Sequence, residues 1–313
     1  MRVEVAAREC SRQHSEGAEA GVPRERSWRT AINNGTDQYG VFGHPVGHSL
    51  SPFIHGMFAR DTGQPMTYRL YDVPPEEFAP RVRAFFAAGG RGLNITLPHK
   101  LAAVGVAHDL TERATHAAAV NTLARQGDTI LGDNTDGVGL VRDLSENLGL
   151  TVAGCRVLIL GAGGATRGLL APLLGLAPTE LVIANRTPER AQALAAAFAD
   201  LGVTHGVAFP DVGSRPFDLV INATSASLSG EIPPIPLGVI GPQTVCYDLA
   251  YGRNATAFVD WAHACGCARA LQGLGMLVEQ AAESFRLWRG LRPQTAHVLA
   301  ALKEHSSLAI QPR

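Results

Sequence analysis

Two serines, Ser49 and Ser51, lie one residue apart in Ser49-Leu-Ser-Pro52, where serine followed by proline marks the start of a helix, with Ser51 as the expected N-cap. Two hydroxyls at a helix start can both donate to one carboxylate, and the free N–H groups there also favour an anion. Further on, Gly92-Leu-Asn-Ile-Thr-Leu97 reads as a strand, followed by Pro98-His-Lys100. Alternate strand residues face one way, so Asn94 and Thr96 share a side, with Lys100 just beyond the strand end. An amide, a hydroxyl and an amine therefore gather at the C-terminal edge of one strand, where open α/β sheets hold ligands. Taken singly, Lys100 reads as a surface lysine and Ser51 as a cap. Asp133 and Asp136 in Gly132-Asp-Asn-Thr-Asp-Gly137 open a helix expected to run to about Asn147; either can be a cap, and for Asp133 that reading is adopted.

A second constellation handles phosphate. Arg156-Val-Leu-Ile-Leu160 has the apolar run of a buried parallel strand. The turn Gly161-Ala-Gly-Gly-Ala-Thr166 follows, and then a helical stretch from Arg167 to Leu174. Strand, glycine turn and helix form the dinucleotide-binding arrangement. Gly161 permits the tight turn, Gly163 lets the backbone approach a pyrophosphate, and the helix N-terminus attracts the negative charge. Thr166 stands where the third glycine of the fingerprint is usual. The next strand, Leu181-Val-Ile-Ala184, ends in Asn185-Arg-Thr187, with Arg190 behind it. No carboxylate stands there to bind the ribose hydroxyls of NAD. Two guanidiniums and a hydroxyl suit a 2′-phosphate instead, so NADP is expected over NAD.

The elements that must position these groups make an α/β protein. Tyr39–Gly43, Met66–Tyr71 and Gly92–Leu97 read as strands. Helices are expected after Ser51, between Pro74 and Gly89, and from Thr111. A hairpin is expected around Gln126-Gly-Asp128. After the glycine turn, strands at Phe217–Ala223, Thr244–Asp248 and Ala268–Ala270 alternate with an alanine-rich helix through Phe198 and a helix at Phe258–Ala264. A Pro- and Gly-rich surface loop is expected over 229–242. A long helix from Gly273 to Arg289 carries Met276, Leu277, Gln280, Ala281 and Ser284 at three- and four-residue steps, with Gln280 as the polar exception.

The 313 residues suffice for two domains. Hydrophobic residues make up 46% and charged residues 18%, as in a globular protein. A formal net charge of −1 suggests neither nucleic acid nor an anionic membrane as partner. Five cysteines without zinc-ligand spacing argue against a disulfide framework, and Cys265-Gly-Cys267 is too tight for a redox pair. No apolar run reaches the roughly 18 residues of a membrane span, and the start has no signal-peptide core. A cytoplasmic location is the expectation. No metal site is expected, because the histidines show no paired-ligand spacing.

Ser49-Leu-Ser-Pro52, Asn94-Ile-Thr-Leu-Pro-His-Lys100, Ala119-Val-Asn-Thr122 and Gly132-Asp-Asn-Thr-Asp-Gly137 resemble, in order and spacing, the signatures of shikimate dehydrogenases. Gly161-Ala-Gly-Gly-Ala165, Asn185-Arg-Thr187, Ile221-Asn-Ala-Thr224 and Gly273-Leu-Gly-Met276 extend the resemblance, which runs from about Tyr39 to about Leu302.

The resemblance implies a Rossmann-type NADP-binding domain over 137–273. It also implies an α/β substrate domain over 38–136 that is completed by 274–305, with a C-terminal helix returning to the first domain. Residues 1–37 would be a disordered or dispensable extension and 306–313 a tail. It implies NADPH-dependent reduction of 3-dehydroshikimate to shikimate, on the pathway to chorismate and aromatic amino acids. Ser49 and Ser51 would hold the substrate carboxylate. Asn94, Thr96, Asn121 and Gln280 would bind the ring hydroxyls or help shape the polar pocket, and Tyr251 would complete the site. Lys100 and Asp136 would be the catalytic pair: a protonated lysine can deliver a proton to the carbonyl oxygen, and a nearby carboxylate holds it charged and in place. Gly161, Ala162, Gly163, Gly164, Ala165, Asn185, Arg186, Thr187, Arg190, Leu249 and Gly273 would bind the cofactor. The family commonly has methionine where Leu249 stands, a change of similar volume. The enzyme rival is the quinate/shikimate branch that also accepts NAD. The rival of another class is a silent relative that binds the ligand and regulates a partner. Assembly as a homodimer is left open.

Overall fold

In this computed structural model the described residues are 36–308, except 225, 227–229, 253–255 and 268. The extension expected over 1–37 lies outside them but for its last two residues. Of the tail expected from 306, the last five residues lie outside. In chain order the first half holds β1 (Asp37–Gly43), α1 (Ser51–Thr62), β2 (Met66–Asp72), α2 (Phe78–Ala87), β3 (Gly92–Ile95) and β4 (Asp109–Leu110). It continues with α3 (Glu112–Ala117), β5 (Thr122–Gln126), β6 (Thr129–Asp133) and α4 (Asp136–Arg142), which runs on into a π-helical turn, Asp143–Asn147. The second half holds β7 (Arg156–Leu160), α5 (Gly164–Leu174), β8 (Glu180–Asn185), α6 (Pro188–Ala196), β9 (Thr204–Ala208) and β10 (Leu219–Asn222). β11 (Val245–Asp248), α7 (Thr256–Ala264), β12 (Arg269–Gln272), α8 (Leu274–Arg289) and α9 (Ala296–Leu308) complete it.

Two sheets result. The first has the order β2-β1-β3-β5-β6-β4. β1 pairs in parallel with β2 and β3, and the expected hairpin β5–β6 adds to β3 antiparallel. The second has the order β12-β11-β10-β7-β8-β9 and is parallel throughout. Its order reverses between β7 and β10, which opens a crevice at their C-terminal ends. β7 is apolar because both its faces are covered: Val157 and Ile159 enter one core, Leu158 and Leu160 the other.

α8 returns to the first sheet's side, where Val278, Ala281 and Phe285 pack with Ile54 and Phe58 of α1 and Val298 of α9. It also crosses the α4 segment at very short range. A Cβ placed on Gly275 would lie 1.8 Å from Asp143 Oδ1. Asp143 is itself buried and fixed, accepting from Tyr247 Oη at 2.6 Å and from Asn147 Nδ2 at 2.9 Å.

Several sequence expectations change. The N-cap of α1 is Leu50, with no side-chain cap, and Ser51 is the first helical residue, so its hydroxyl is left for other partners. β3 stops at Ile95, two residues early, before Pro98, which has no N–H to continue a ladder; Thr96 N still donates to Phe42 O at 2.9 Å. α6 stops at Ala196. Within 229–242, Ile235, Val239 and Ile240 are buried in the core, so the segment is anchored rather than lying wholly on the surface. β4, β9 and α9 were not foreseen, and α9 runs to Leu308, past the domain end expected at 305.

Gly275→Ala should lower stability by roughly 1–3 kcal/mol, because the methyl group must displace a buried, hydrogen-bonded carboxylate. Urea denaturation measures this; an unchanged midpoint would contradict the close crossing of α8 on Asp143.

Candidate active site

A cleft of about 610 Å³ lies between the C-terminal ends of the two sheets. Lys100 enters it from the loop after β3. Its backbone is pinned because Val120 N donates to Lys100 O at 2.8 Å. The preceding residue anchors the loop: His99 is buried, stacks on Phe78 with centroids 4.5 Å apart, and places Nε2 2.7 Å from Val73 O. A carbonyl only accepts, so that nitrogen carries the proton.

Asp136 is the first residue of α4, and its N–H donates to Asn134 Oδ1 at 3.2 Å. Its two carboxylate oxygens have different partners. Asn121 Nδ2 donates to Oδ1 at 2.8 Å and Lys100 Nζ to Oδ2 at 2.5 Å. The side chains of Lys100 and Asp136 are only 14% and 5% exposed, so this ion pair is shielded from the solvent that weakens surface pairs. Asn121 is fixed in turn: its Oδ1 accepts from Thr135 N at 2.8 Å, and Gln280 Oε1 from α8 lies 3.3 Å from its Nδ2. Ser284, one turn further on, is within 3.0 Å of Asn94 Nδ2 and 2.8 Å of Thr122 Oγ1. Gln280, the polar exception on its helix, thus belongs to a polar network, and its Nε2 donates to Leu277 O at 2.9 Å.

The expected cap role of Asp133 is replaced by an ion pair. Arg113 donates to it from both Nε and Nη2, at 2.6 and 2.5 Å, and reaches Glu283 of α8 at 3.1 Å. Burial would raise the Glu283 carboxyl, but hydrogen bonds from Arg286 and Arg113 hold it down to about 2. The turn leading into Asp136 is thereby tied to α8.

At the other end of the pocket, Ser49 Oγ donates to Ser51 Oγ at 3.1 Å, and the Tyr251 hydroxyl reaches Ser49. Thr96 also lines the cleft, although it lies past the strand. On the nucleotide side, Gly161 takes φ +104°, a conformation that favours glycine, and its N–H donates to Ala184 O at 2.7 Å. Thr166, in the third glycine's place, is buried and donates to Gly161 O at 2.8 Å, tying the turn together. Gly163 is the N-cap of α5, without a side-chain cap, and a Cβ there would meet nothing within 4 Å. An open cradle with free N–H groups fits a pyrophosphate. Ala162, Gly164 and Ala165 line the same wall, as do Asn185, Arg186 and Arg190; Leu249 and Gly273 lie on it too. Thr187 is exposed next to Arg186, at the N-cap of α6, and its carbonyl accepts from Asn185 Nδ2 at 2.9 Å.

His48, Phe209, Thr224 and Met276 also line the cleft, although sequence reasoning assigned them no role. Thr224 carried a signal, since it follows β10 beside the point where strand order reverses. Phe209 follows β9, a strand the sequence did not reveal. Among the described residues no helix is long and apolar enough to cross a membrane, and no cluster of three metal-binding side chains occurs.

The chain matches three family descriptions: "Shikimate dehydrogenase substrate binding domain" over residues 41–123, "Shikimate / quinate 5-dehydrogenase" over 143–229, and "Shikimate 5'-dehydrogenase C-terminal domain" over 273–303. A shikimate dehydrogenase (NADP(+)) of Methylococcus capsulatus is 55% identical over 268 residues, covering 85% of this chain and 96% of the relative. The crystal structure of an Ael1 enzyme from Pseudomonas putida is 44% identical, with TM-score 0.79, covering 85% of this chain and 98% of that one. That of shikimate 5-dehydrogenase from Thermus thermophilus in complex with NADP(H) and shikimate is 31% identical, with TM-score 0.74 over 86% and 99%.

His55 supplies a test of the packing behind this pocket. It is fully buried on α1, neither ring nitrogen has a hydrogen-bond partner, and burial pushes its pKa down to about 3. The folded state therefore takes the neutral ring, while the unfolded chain gains a proton below about pH 6.5. This contribution is fully present above pH 6.5 and is lost as pH falls towards 3. Between those limits the wild type should lose up to about 1.4 kcal/mol per pH unit more than His55→Phe. Parallel stability–pH curves for the two proteins would contradict the buried neutral histidine.

Proposed function

The chain belongs to the shikimate dehydrogenase family, and we propose that its cleft works as follows in the NADP-dependent interconversion of 3-dehydroshikimate and shikimate. The substrate-binding unit is 38–136 with 274–305, and the nucleotide-binding unit is 137–273. Ser49, Ser51 and Tyr251 donate to the substrate carboxylate. Asn94, Thr96, Asn121 and Gln280 meet the ring hydroxyls, and their neutral amide and hydroxyl chemistry suits a polyol. The glycine turn and the start of α5 hold the pyrophosphate, Arg186, Thr187 and Arg190 the 2′-phosphate, with Asn185 beside them. Leu249 and Gly273 border the cofactor's reactive end. NADPH, when bound, supplies the hydride.

The 2.5 Å contact of Lys100 Nζ with Asp136 carries this reading. A ketone that accepts a hydride on carbon must receive a proton on oxygen. Lys100 delivers it from Nζ, and Asp136 holds the ammonium in position and stabilises its charge. In the opposite direction the same amine takes the proton from the substrate hydroxyl. Asp136 cannot turn away from this task, because Asn121 holds its other oxygen. The protein acts in the cytoplasm on this reading, consistent with free cysteines at 155, 246, 265 and 267. Whether it works as a homodimer is a separate question, answered by its mass in solution.

Initial rates with NADP or NAD, each paired with shikimate or quinate, test the assignment. NADP with shikimate should give a kcat/KM at least about tenfold above NAD with shikimate, the margin expected from charge-assisted bonds to a 2′-phosphate. Comparable use of NAD and quinate would move the protein to the quinate/shikimate branch. Binding without turnover would make it a regulatory relative.

A further inference from the structure

Tyr68 of β2 does not line the cleft, yet it touches the groups that do. Its ring stacks on that of His55, with centroids 4.3 Å apart and planes 11° from parallel. His55 in turn lies against Phe58 and Phe285. The phenol at the far end donates to Asn94 Oδ1 at 2.7 Å, and the Ser51 hydroxyl is also within its reach. Burial holds this phenol well above its ordinary range, so it keeps its proton.

The surroundings allow the Asn94 amide one orientation. Asn121 O, 3.4 Å from Nδ2, can only accept. Ser284 Oγ at 3.0 Å and Thr122 Oγ1 at 3.2 Å lie on the same side. The NH₂ group is therefore turned inward and committed. Oδ1 has two lone pairs; Tyr68 takes one, and the other remains for the cleft that Asn94 lines.

We propose that Tyr68 is a positioning residue, whose hydroxyl locks Asn94 with its carbonyl oxygen towards the substrate and so selects a ring hydroxyl that donates at that point. The inference rests on the reading of the cleft as a site for shikimate. It adds a residue that touches neither substrate nor cofactor and acts through Asn94. Removing the hydroxyl leaves Oδ1 beside an apolar ring edge and the amide held from its NH₂ side alone, so that the angle at which Oδ1 meets the substrate loosens. Binding of the matching hydroxyl is weakened, while the Lys100–Asp136 pair stays in place.

The test uses Tyr68→Phe, which keeps the stack on His55, assayed with NADP and shikimate, 4-deoxyshikimate and 5-deoxyshikimate. Unchanged NADPH affinity, read from the fluorescence of the reduced cofactor, confirms that the variant is folded. KM for shikimate should rise roughly five- to tenfold, with kcat changed less than about twofold. With one of the two deoxy analogues, the one lacking the hydroxyl that meets Asn94, the variant and the wild type should differ in KM by less than about twofold. Ser284→Ala, which loosens the amide from its other side, should give the same pattern at smaller amplitude, and it serves if Tyr68→Phe fails to fold. A KM increase of the same size for all three compounds, or a fall in kcat with KM unchanged, would overturn the proposal. Failure of the wild type to turn over shikimate would instead overturn the reading of the cleft.

Discussion

A buried carboxylate must be paired and hydrogen-bonded, and the rest of this structure is arranged so that Asp136 is both. Its two oxygens are claimed by separate parts of the chain, the amine of Lys100 after β3 and the amide of Asn121 before β5. Its backbone starts α4, and the side chain of Asn134 accepts from its N–H. Neither the lysine nor the carboxylate has a free rotamer to lose when substrate arrives, so the proton donor is preorganised.

The same requirement explains why one long helix must return from the end of the chain. α8 supplies Gln280 and Ser284 to the amide and hydroxyl network, and Glu283 to Arg113, which grips Asp133 just before the Asp136 turn. Its first turn sits against Asp143, leaving no room for a side chain at Gly275. The apolar face of α8 is buried against α1 and α9. Substrate groups, the proton-donating pair and the joint to the nucleotide sheet therefore share one rigid element, and a shift of α8 is felt at all three.

Much of the site was legible because its signals are local. Glycine at a left-handed turn, apolar runs between covered faces, and an N–H-rich helix start depend on neighbours within a few residues, and Gly161, Val157–Leu160 and α5 followed from them. The order of the family motifs brought Lys100, Asp136, Asn121 and Gln280 onto one list, and they are within reach of one another. Contacts distant in sequence were hidden. Nothing near Asp133 announces Glu283, 150 positions away through Arg113, so a cap was the natural reading. Tyr68 looks like any strand tyrosine until Asn94 is seen beside its hydroxyl. Thr187 sits at the turn into α6, next to Arg186, with its side chain exposed and not engaged as a cap. β9 is a half-exposed edge strand, and its His-Gly-Val pattern lacks the alternation that marks a buried one.

The most direct test of the central claim, that Lys100 and Asp136 act as one unit, is a double-mutant cycle on kcat. Lys100→Ala, Asp136→Ala and the double variant are compared with the wild type in NADP-dependent shikimate oxidation, with substrate affinity measured separately by calorimetry. Because each side chain is useful only through the other, the double variant should be no slower than the slower single variant, while all three still bind shikimate. Losses that multiply, or an Asp136→Ala protein that retains wild-type kcat, would contradict a shared proton-transfer unit.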